Sequence, residues 1–399
     1  MTKRRNITIG VATAIALAAV GTGLTLPANA APKEGVVIGA DSASAIPGSY
    51  IVTLKKSEHR AATFAGKSVV TDHGADIQRV YTHALNGYAV TMSADEARQL
   101  AADPAVDKVY ADQKVSLMGT QTNPANWGLD RVDQPSLPLN QTYNYPDTAG
   151  SGVTAYVIDT GVRITHQDLE GRASNGYDAI DGDNVAQDGN GHGTHVATTI
   201  AGGQYGVAKK ANIVAVRVLN NSGSGTTAQV VAGVDWVTAN HSGPSVANMS
   251  LGAPSTITAI DDAVRNSIAS GVTYAIAAGN SNVDAKNTSP AHVTEAITVG
   301  ATDSSDTRAY FSNYGNVVDL FAPGVSITAG WNTGDTATNT ISGTSMATPH
   351  TAGAAAIYLG THPDATPAQV QQALIDGTSK NVVTDPGRRT PNRLLNIVP

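Results

Sequence analysis

The chain has 399 residues, 41% hydrophobic and 14% charged, and this composition excludes a disordered or coiled-coil protein. It contains no cysteine, which excludes disulfides, thiolate zinc sites and a cysteine nucleophile. The net charge of −7 is concentrated in residues 121–399, which carry 13 Lys and Arg against 22 Asp and Glu; this acidity argues against nucleic-acid binding and is compatible with cation binding.

Residues 1–30 have the pattern of a secretory signal peptide. Lys3, Arg4 and Arg5 precede a long uncharged stretch, and small residues at 28–30 (ANA) form a cleavage site. A transmembrane helix is the alternative, but glycine, proline and threonine dilute the stretch and no stop-transfer charges follow it. We therefore expect a secreted, extracellular protein with no stable membrane association after the signal is removed.

Residues 31–120 are expected to form a propeptide whose core, at about 48–116, is a small α+β domain. Strands are predicted at 50–54, 80–83, 88–92 and 106–110, and a helix at 94–102, which Ser93 and Glu96 begin with a capping box. The order β-α-β-β-α-β is ferredoxin-like. An independent small binding domain is the alternative. Residues 117–126 then predict a polar, turn-rich linker open to proteolysis.

Residues 121–399 predict an α/β domain, because short apolar strands alternate with helices. The strands are predicted at 153–158, 213–219, 246–249, 272–277 and 296–299, with helices at 227–240 and 257–270 between them. This spacing favours a parallel sheet covered by helices on both faces. In such a sheet, functional sites form at the carboxyl ends of the strands.

Three motifs carry residues suited to catalysis. They are Asp159-Thr160-Gly161 after a strand, residues 191–195 (GHGTH) and residues 343–350 (GTSMATPH), the last two opening helices, with Pro349 predicted in a first helical turn. An aspartic protease needs two carboxylates, and the single Asp-Thr-Gly would require a dimer. His192 and His195 lack the glutamate of a zincin pair. The order Asp, His, Ser differs from that of α/β-hydrolases.

Together these segments resemble the subtilisin-like serine proteases, most closely the proteinase K branch, over nearly all of residues 48–399. The matching segments are residues 157–161 (VIDTG), 191–195, 248–252 (NMSLG), 277–280 (AAGN) and 343–347 (GTSMA). The resemblance implies an α/β fold with a subtilisin-like parallel sheet flanked by helices, preceded by the small propeptide domain. It also implies a secreted serine endopeptidase, made as a zymogen and active as a monomer.

The resemblance implies a role for each catalytic residue. Ser345 is the nucleophile, His192 is the general base, and Asp159 orients the imidazole. Asn280 and the Ser345 backbone N–H stabilise the oxyanion. A catalytically silent secreted binding protein on the same scaffold is the alternative, although none of these four residues has been lost.

Polypeptide substrates are expected to bind by backbone pairing. The substrate-binding residues implied by the resemblance are Gly223, Ser224, Gly225, Ser250, Leu251, Gly252, Ala277, Ala278 and Gly279. The last three line the primary specificity pocket, and their small size predicts cleavage after apolar or aromatic residues. Tight core packing is the alternative explanation for these small residues.

Structural Ca²⁺ is the expected cofactor, at two candidate sites. The resemblance implies the Asp319 carboxylate with the backbone carbonyls of Thr294 and Ala296 as the first site. The second set resembles an extra site of thermophilic members and consists of Asp130, Asp133, Gln134, Asn140 and Thr142. Solvated surface is the alternative for both. The acidic loop with Asp178, Asp181, Asp183 and Asp188 has no ligand spacing that decides whether it binds a cation.

The propeptide is expected to act as an intramolecular inhibitor, with its tail near Leu117 in the active-site cleft and self-cleavage within 116–123. The chain departs from its relatives at Thr198, where they usually have glycine, at Thr351, where they have valine, and at Gly189, where many have cysteine. Thr198 is expected to add bulk at a close helix–strand contact and to cost some stability or activity.

Overall fold

A computed structural model describes residues 33–42, 45–55, 59–113 and 118–397. The predicted signal peptide (1–30) and Leu117 lie outside these residues. The described residues form two compact units, one comprising 33–41 and 45–113 and the other mainly 118–397. The predicted domain limits at 30/31 and 120/121 stay predictions. Among the described residues, no helix is both long and apolar enough to cross a bilayer.

Residues 45–113 of the smaller unit have the ferredoxin-like β-α-β-β-α-β order that the sequence predicts, and a short additional strand precedes them. The elements of this unit are β1 (Val37–Ile38), β2 (Ala45–Leu54), α1 (Phe64–Thr71), β3 (Asp76–Tyr81), β4 (Gly87–Thr91), α2 (Ala94–Leu100) and β5 (Val106–Gln113). The sheet order is β1-β5-β2-β4-β3, and only the β1–β5 pair is parallel. The capping box of Ser93 and Glu96 is present. Strand β3 begins four residues earlier than predicted, because its ladder with β4 starts at Asp76.

The larger unit begins with a paired ribbon where the sequence predicted a linker. Strand β6 (Met118–Thr122) pairs antiparallel with β7 (Thr142–Pro146), on either side of helix α3 (Trp127–Val132). The prediction of an unpaired loop at 117–126 is therefore wrong for residues 118–122. The partner strand lies about twenty residues away in the sequence, so local composition could not reveal the pairing.

The central sheet of the larger unit is parallel except at one edge. Its described strands are β8 (Thr154–Asp159), β9 (Ala173–Asp178), β10 (Asn212–Arg217), β11 (Ser245–Met249), β12 (Thr273–Ala277), β13 (Ile297–Thr302), β14 (Leu320–Pro323), β17 (Ser379–Lys380) and β18 (Arg393–Leu394). They are ordered β17-β18-β14-β13-β12-β11-β8-β10-β9, and only β17 runs antiparallel to its neighbour. A separate hairpin joins β15 (Ile327–Gly330) to β16 (Thr338–Ile341).

Helices cover both faces of this sheet, as predicted. They are α4 (His192–Ala201), α5 (Thr227–Asn240), α6 (Thr258–Ala269), α7 (Thr344–Thr361) and α8 (Pro367–Gly377). Alternate residues of β8 enter opposite cores: Val157 packs in the cluster with α4, α7 and α8, and Ile158 in the cluster with α5 and α6. The parallel arrangement brings the ends of β8, β11 and β12 to one edge of the sheet.

Candidate active site

Asp159 and His192 meet at the carboxyl edge of the sheet. Asp159 is the last residue of β8 and is fully buried, and His192 is the first residue of α4. Nδ1 of His192 lies 2.7 Å from Oδ1 of Asp159, and Nε2 has no hydrogen-bond partner among the described residues. Burial alone would lower the pKa of His192, but the charge and hydrogen bond of Asp159, together with the charge of Asp188, outweigh it, so the pKa lies above its ordinary value.

Asp188 fixes the start of the helix that carries His192. Its Oδ1 accepts from the backbone N–H groups of Asn190 and Gly191 and from Thr160 Oγ1, and its Oδ2 accepts from Thr194. Sequence reasoning treated Asp188 only as part of an acidic loop. Its position four residues before His192 was the available signal, because aspartate commonly caps helix N-termini.

Ser345 is tied to Ser250 by two hydrogen bonds. Ser345 Oγ donates to the Ser250 carbonyl at 3.1 Å, and Ser250 Oγ donates to the Ser345 carbonyl at 2.8 Å. Helix α7 begins at Thr344, so Pro349 is its sixth residue, and the prediction that Pro349 lies in the first turn is wrong. Proline has no N–H for the carbonyl four residues earlier. That carbonyl belongs to Ser345, and Ser250 satisfies it instead.

The side-chain amide of Asn280 is oriented by Thr344. Asn280 Oδ1 accepts from the Thr344 backbone N–H at 2.8 Å and from Thr344 Oγ1 at 2.9 Å. Because the oxygen is held on this side, Nδ2 is left as a donor on an exposed residue. Sequence reasoning did not single out Thr344 for this task, although it stands next to Ser345 in the matched motif.

Two adjoining cavities bring the predicted substrate-binding residues together. One is lined by His192, by Gly223, Ser224 and Gly225, and by Ser250, Leu251 and Gly252. The other, of about 310 Å³, is lined by Ser345, Asn280, Ala277, Ala278 and Gly279, and shares Ser250, Leu251 and Gly252 with the first. None of the described residues that line the second cavity is charged. Gly279 has φ +104°, and a Cβ there would lie 2.4 Å from Asn313 Nδ2, so this wall requires glycine.

The first predicted calcium cluster is occupied by a side chain. Gln371 Nε2 donates to the Thr294 carbonyl at 3.0 Å and to the Ala296 carbonyl at 2.9 Å, and the Asp319 carboxylate accepts from the Thr298 backbone N–H at 2.8 Å. Burial raises the pKa of Asp319 to about 7, with a partial offset from the Thr298 N–H. All three predicted ligands therefore already have a protein donor, and the residues do not fit a cation as they stand.

The second predicted calcium cluster is closed by its own loop but keeps free acceptors. Asp130 accepts from the backbone N–H groups of Asn140 and Gln141, and Asn140 Oδ1 accepts from Thr142. Asp133 and Gln134 are more than nine-tenths buried. Oδ1 of Asp133 and Oε1 of Gln134 are buried without a hydrogen-bond partner among the described residues. Burial raises the pKa of Asp133, and hydrogen bonds from Asn144 partly counter this effect. Unpaired buried oxygens of this kind fit a hard cation.

The acidic loop is satisfied without a cation. Asp178 and Asp181 each bind Arg217 at 2.7 Å, and Asp183 accepts from a backbone N–H. No cluster of three or more His, Asp or Glu side chains suited to a metal is found among the described residues. Here the carboxylates organise the loop itself.

The departures from related sequences have different consequences in the structure. Thr198 is buried, and its Oγ1 accepts from the Gly330 N–H at 2.9 Å, so its hydroxyl links α4 to β15. Thr351 is also buried, but its hydroxyl has no partner among the described residues. A side chain at Gly189 would collide with Asn221. The predicted loss of stability or activity at Thr198 is untested, but its hydroxyl accepts a hydrogen bond from Gly330 in β15.

Comparison with known protein families gives two matches along the chain. Residues 150–394 match the model described as "Subtilase family", and residues 49–118 match "Peptidase inhibitor I9". The first match contains Asp159, His192, Asn280 and Ser345. The second covers the sheet of the smaller unit except β1 and the first four residues of β2.

Several known proteins are similar over most of the chain. An "Extracellular serine proteinase" of a Thermus species is 50% identical over 92% of this chain and 94% of its own length. A "Cuticle-degrading serine protease" of Arthrobotrys oligospora is 41% identical over 97% of this chain and 98% of its own. A solved cold-adapted subtilisin-like serine proteinase is 57% identical, covers 69% of this chain and 99% of its own, and has a TM-score of 0.67.

Proposed function

Since the chain belongs to the subtilase family, we propose that Asp159, His192 and Ser345 make it a secreted serine endopeptidase, produced as a self-processing precursor. The observation that carries the proposal is the 2.7 Å contact of His192 with buried Asp159, beside a cavity that contains both Ser345 and an oriented Asn280 amide. The similar proteins are named as serine proteinases, one of them extracellular. This agrees with the signal-peptide pattern of residues 1–30.

The proposed reaction passes one proton through the site. The Ser345 hydroxyl exchanges its hydrogen bond with the Ser250 carbonyl for one with the free Nε2 of His192. His192 then accepts the proton as Oγ attacks the scissile carbonyl, and later delivers it to the leaving amine. Asp159 fixes the Nδ1–H tautomer and stabilises the imidazolium, which the raised pKa of His192 reflects.

Negative charge on the substrate oxygen is stabilised by two donors. These are Nδ2 of Asn280 and the backbone N–H of Ser345, which lies in the first turn of α7 and has no helical acceptor there. Because Thr344 holds Oδ1 of Asn280, the amide cannot turn its oxygen toward the oxyanion without losing two hydrogen bonds. The donor is thus oriented before substrate arrives.

We propose that the cavity beside Ser345 receives the side chain preceding the cleaved bond. Its walls of Ala277, Ala278 and Gly279 are small and uncharged, so they accept apolar or aromatic groups and offer no countercharge to lysine or arginine. The segments at Gly223–Gly225 and Ser250–Gly252 border the cavities and would pair with an extended peptide.

The smaller unit is proposed to inhibit the enzyme until maturation. Its match to the peptidase inhibitor I9 family supports this role. Self-cleavage is proposed within residues 116–123, of which 116 and 117 lie outside the described part of the chain. A monomer without membrane association after signal removal completes the proposal.

Calcium is proposed to bind at the second cluster, with Asp133 Oδ1 and Gln134 Oε1 as ligands. Structural calcium is general in subtilisin-like folds. Bound there, the ion would compensate two buried oxygens and stabilise the loop without taking part in the reaction. Asp130, Asn140 and Thr142 are proposed to shape the loop around it.

The proposal is tested by treating the purified protein with a serine-directed phosphonylating reagent. We expect mass spectrometry to locate the label on Ser345, with loss of peptide hydrolysis. In parallel, the wild-type chain should release a mature fragment whose N-terminus falls in 116–123, while the Ser345→Ala chain stays at full length.

Two outcomes would contradict the proposal. A protein that folds but neither labels nor hydrolyses peptides would be the silent binding protein of the alternative hypothesis. A Ser345→Ala chain that releases the mature fragment by itself would exclude self-processing through Ser345.

A further inference from the structure

Two backbone carbonyls converge on a single amide nitrogen near the Asp319 carboxylate. The carbonyl oxygens of Thr294 and Ala296 lie 3.0 and 2.9 Å from Nε2 of Gln371, and the same amide partly offsets the rise in the pKa of Asp319 that burial causes. An amide nitrogen carries two hydrogens, and the two carbonyls engage both of them. Carbonyl and carboxylate oxygens are the ligands that calcium uses, so the amide stands where a cation would otherwise bind.

Gln371 is delivered to this position by a well-defined helix. Helix α8 begins with Pro367 at its first position and with a capping box made by Thr366 and Gln369. The buried residues Val370 and Leu374 of α8 pack into the core shared with α4 and α7, so the neighbouring Gln371 is held against the sheet. The backbone position of Gln371 is therefore set by helix packing, and its half-buried side chain reaches the carbonyls from there.

The distances distinguish an amide from an ion. Values of 2.9–3.0 Å are ordinary for N–H···O hydrogen bonds. Calcium needs six to eight oxygens at about 2.3–2.6 Å, which would require the nitrogen to leave and the carbonyls to close in. The amide and the ion are mutually exclusive at this point.

We propose that the Gln371 amide replaces the calcium ion at the first cluster, so that this chain stabilises the Thr294–Ala296–Asp319 acceptors without metal. The inference does not depend on whether the second cluster binds calcium, because it states only that the first one does not.

The test uses the full-length chain carrying Ser345→Ala, which cannot digest itself. Calcium is removed with a chelator, and Ca²⁺ is then titrated by calorimetry while Tm is recorded with and without the ion. Asp133→Asn is added to remove the second cluster. We expect this protein to bind no Ca²⁺ in the range of about 10⁻⁴–10⁻³ M or tighter in which extracellular calcium modules bind.

Replacing Gln371 should open the first cluster. Gln371→Glu, in the same background, is expected to gain one bound Ca²⁺ and to become dependent on it, with a Tm that falls under chelation and recovers when the ion is added. Gln371→Ala should gain weaker binding. Gln372→Ala is the matched control, because Gln372 lies on the same helix but is exposed and bonds Asp376.

Two results would overturn the inference. The first is stoichiometric Ca²⁺ binding by the Asp133→Asn protein that disappears when Asp319→Asn is added. The second is the failure of both Gln371 variants, folded as judged by circular dichroism, to bind Ca²⁺. Since the first result is measured with Gln371 intact, misfolding of the Gln371 variants leaves the inference open to refutation.

Discussion

The catalytic cleft and the first calcium cluster both contain the residues that the family resemblance implies, but the structure treats them differently. In the cleft, neighbours occupy the atoms that the chemistry does not need: Asp159 takes Nδ1 of His192, and Thr344 takes Oδ1 of Asn280. Nε2 of His192 and Nδ2 of Asn280 have no hydrogen-bond partner among the described residues, and Ser345 Oγ is held by the Ser250 carbonyl. In the first cluster, Gln371 bonds the very oxygens that an ion would require. A polar site is thus defined by the atoms that its neighbours leave unpaired.

The second calcium cluster resembles the cleft in this respect. The carboxylate of Asp130 is fully engaged by backbone donors, whereas one oxygen each of Asp133 and Gln134 is buried without a partner among the described residues. The two candidate calcium clusters therefore differ in the availability of their oxygens, although the resemblance implies calcium ligands at both.

The largest effect is expected from removing the carboxylate that binds Nδ1 of His192. Asp159→Asn should lower kcat by about 10⁴, because the wrong tautomer is held. Wild-type activity should rise with pH through a pKa above the ordinary histidine value, since the base must be neutral. In the Asp159→Asn variant this rise in activity should occur at lower pH, because the pKa of His192 falls when the carboxylate is removed. The measurement is the pH profile of kcat/KM on a peptide substrate. An unchanged apparent pKa in the Asp159→Asn variant would contradict the electrostatic role of Asp159.

The next largest effect on kcat is expected at Asn280, whose Oδ1 accepts two hydrogen bonds from Thr344. Asn280→Leu should cost about 10²–10³ in kcat, the loss that removal of one such donor causes in a subtilisin. Thr344→Val removes one of the two bonds that orient the amide and should cost up to about tenfold in kcat at unchanged KM. In the Asn280→Leu background the Thr344 effect should vanish. An undiminished effect in the double mutant would mean that Thr344 acts elsewhere.

A smaller effect, on the response of Tm to Ca²⁺, is expected at the second cluster, where one oxygen each of Asp133 and Gln134 lacks a partner among the described residues. Asp133→Asn should abolish the rise in Tm that Ca²⁺ gives, worth about 2.7 kcal/mol in unfolding free energy at a concentration 100 times Kd. Asp130→Asn is the contrasting variant, because its oxygens bond the backbone. It should lower Tm equally with and without Ca²⁺. A calcium response that survives Asp133→Asn would remove the assignment of this ligand.

The smallest expected effect is on stability and concerns the hydroxyl of Thr351. The buried hydroxyl of Thr351 lacks a partner among the described residues, so Thr351→Val should stabilise the protein by about 1 kcal/mol, or about 2–4 °C in Tm. Thr348→Val is the matched control in the same helix. The Thr348 hydroxyl donates to the Thr344 carbonyl at 2.8 Å, so its loss should bring no gain. A destabilised Thr351→Val protein would show that this hydroxyl has a partner after all.

Much of the fold was predictable because its signals are local. Alternating apolar strands and helices gave the parallel sheet, and the helix at 227–240 agrees with α5 at both ends. The motifs placed Asp159 at the end of a strand and His192 at the start of a helix, and their contact follows from parallel topology. The capping box of α2 was likewise encoded within four residues.

What could not be predicted depends on partners that are distant in sequence. The pairing of β6 with β7 needs two segments about twenty residues apart, and Gln371 reaches Thr294 from 77 positions away. The Ser250–Ser345 link spans 95 positions. Residue identity indicates which atoms are present, whereas the folded chain decides which hydrogen bonds they have already made.

The proline inside α7 has a mechanical consequence. Because Pro349 leaves the Ser345 carbonyl without a helical donor, Ser250 holds that residue through both its carbonyl and its hydroxyl. Ser250 also borders the two cavities, together with Leu251 and Gly252. The Ser345 backbone and the rim that would guide a peptide are therefore linked through the Ser250 hydroxyl, and this link persists when Ser345 Oγ turns from the Ser250 carbonyl to His192.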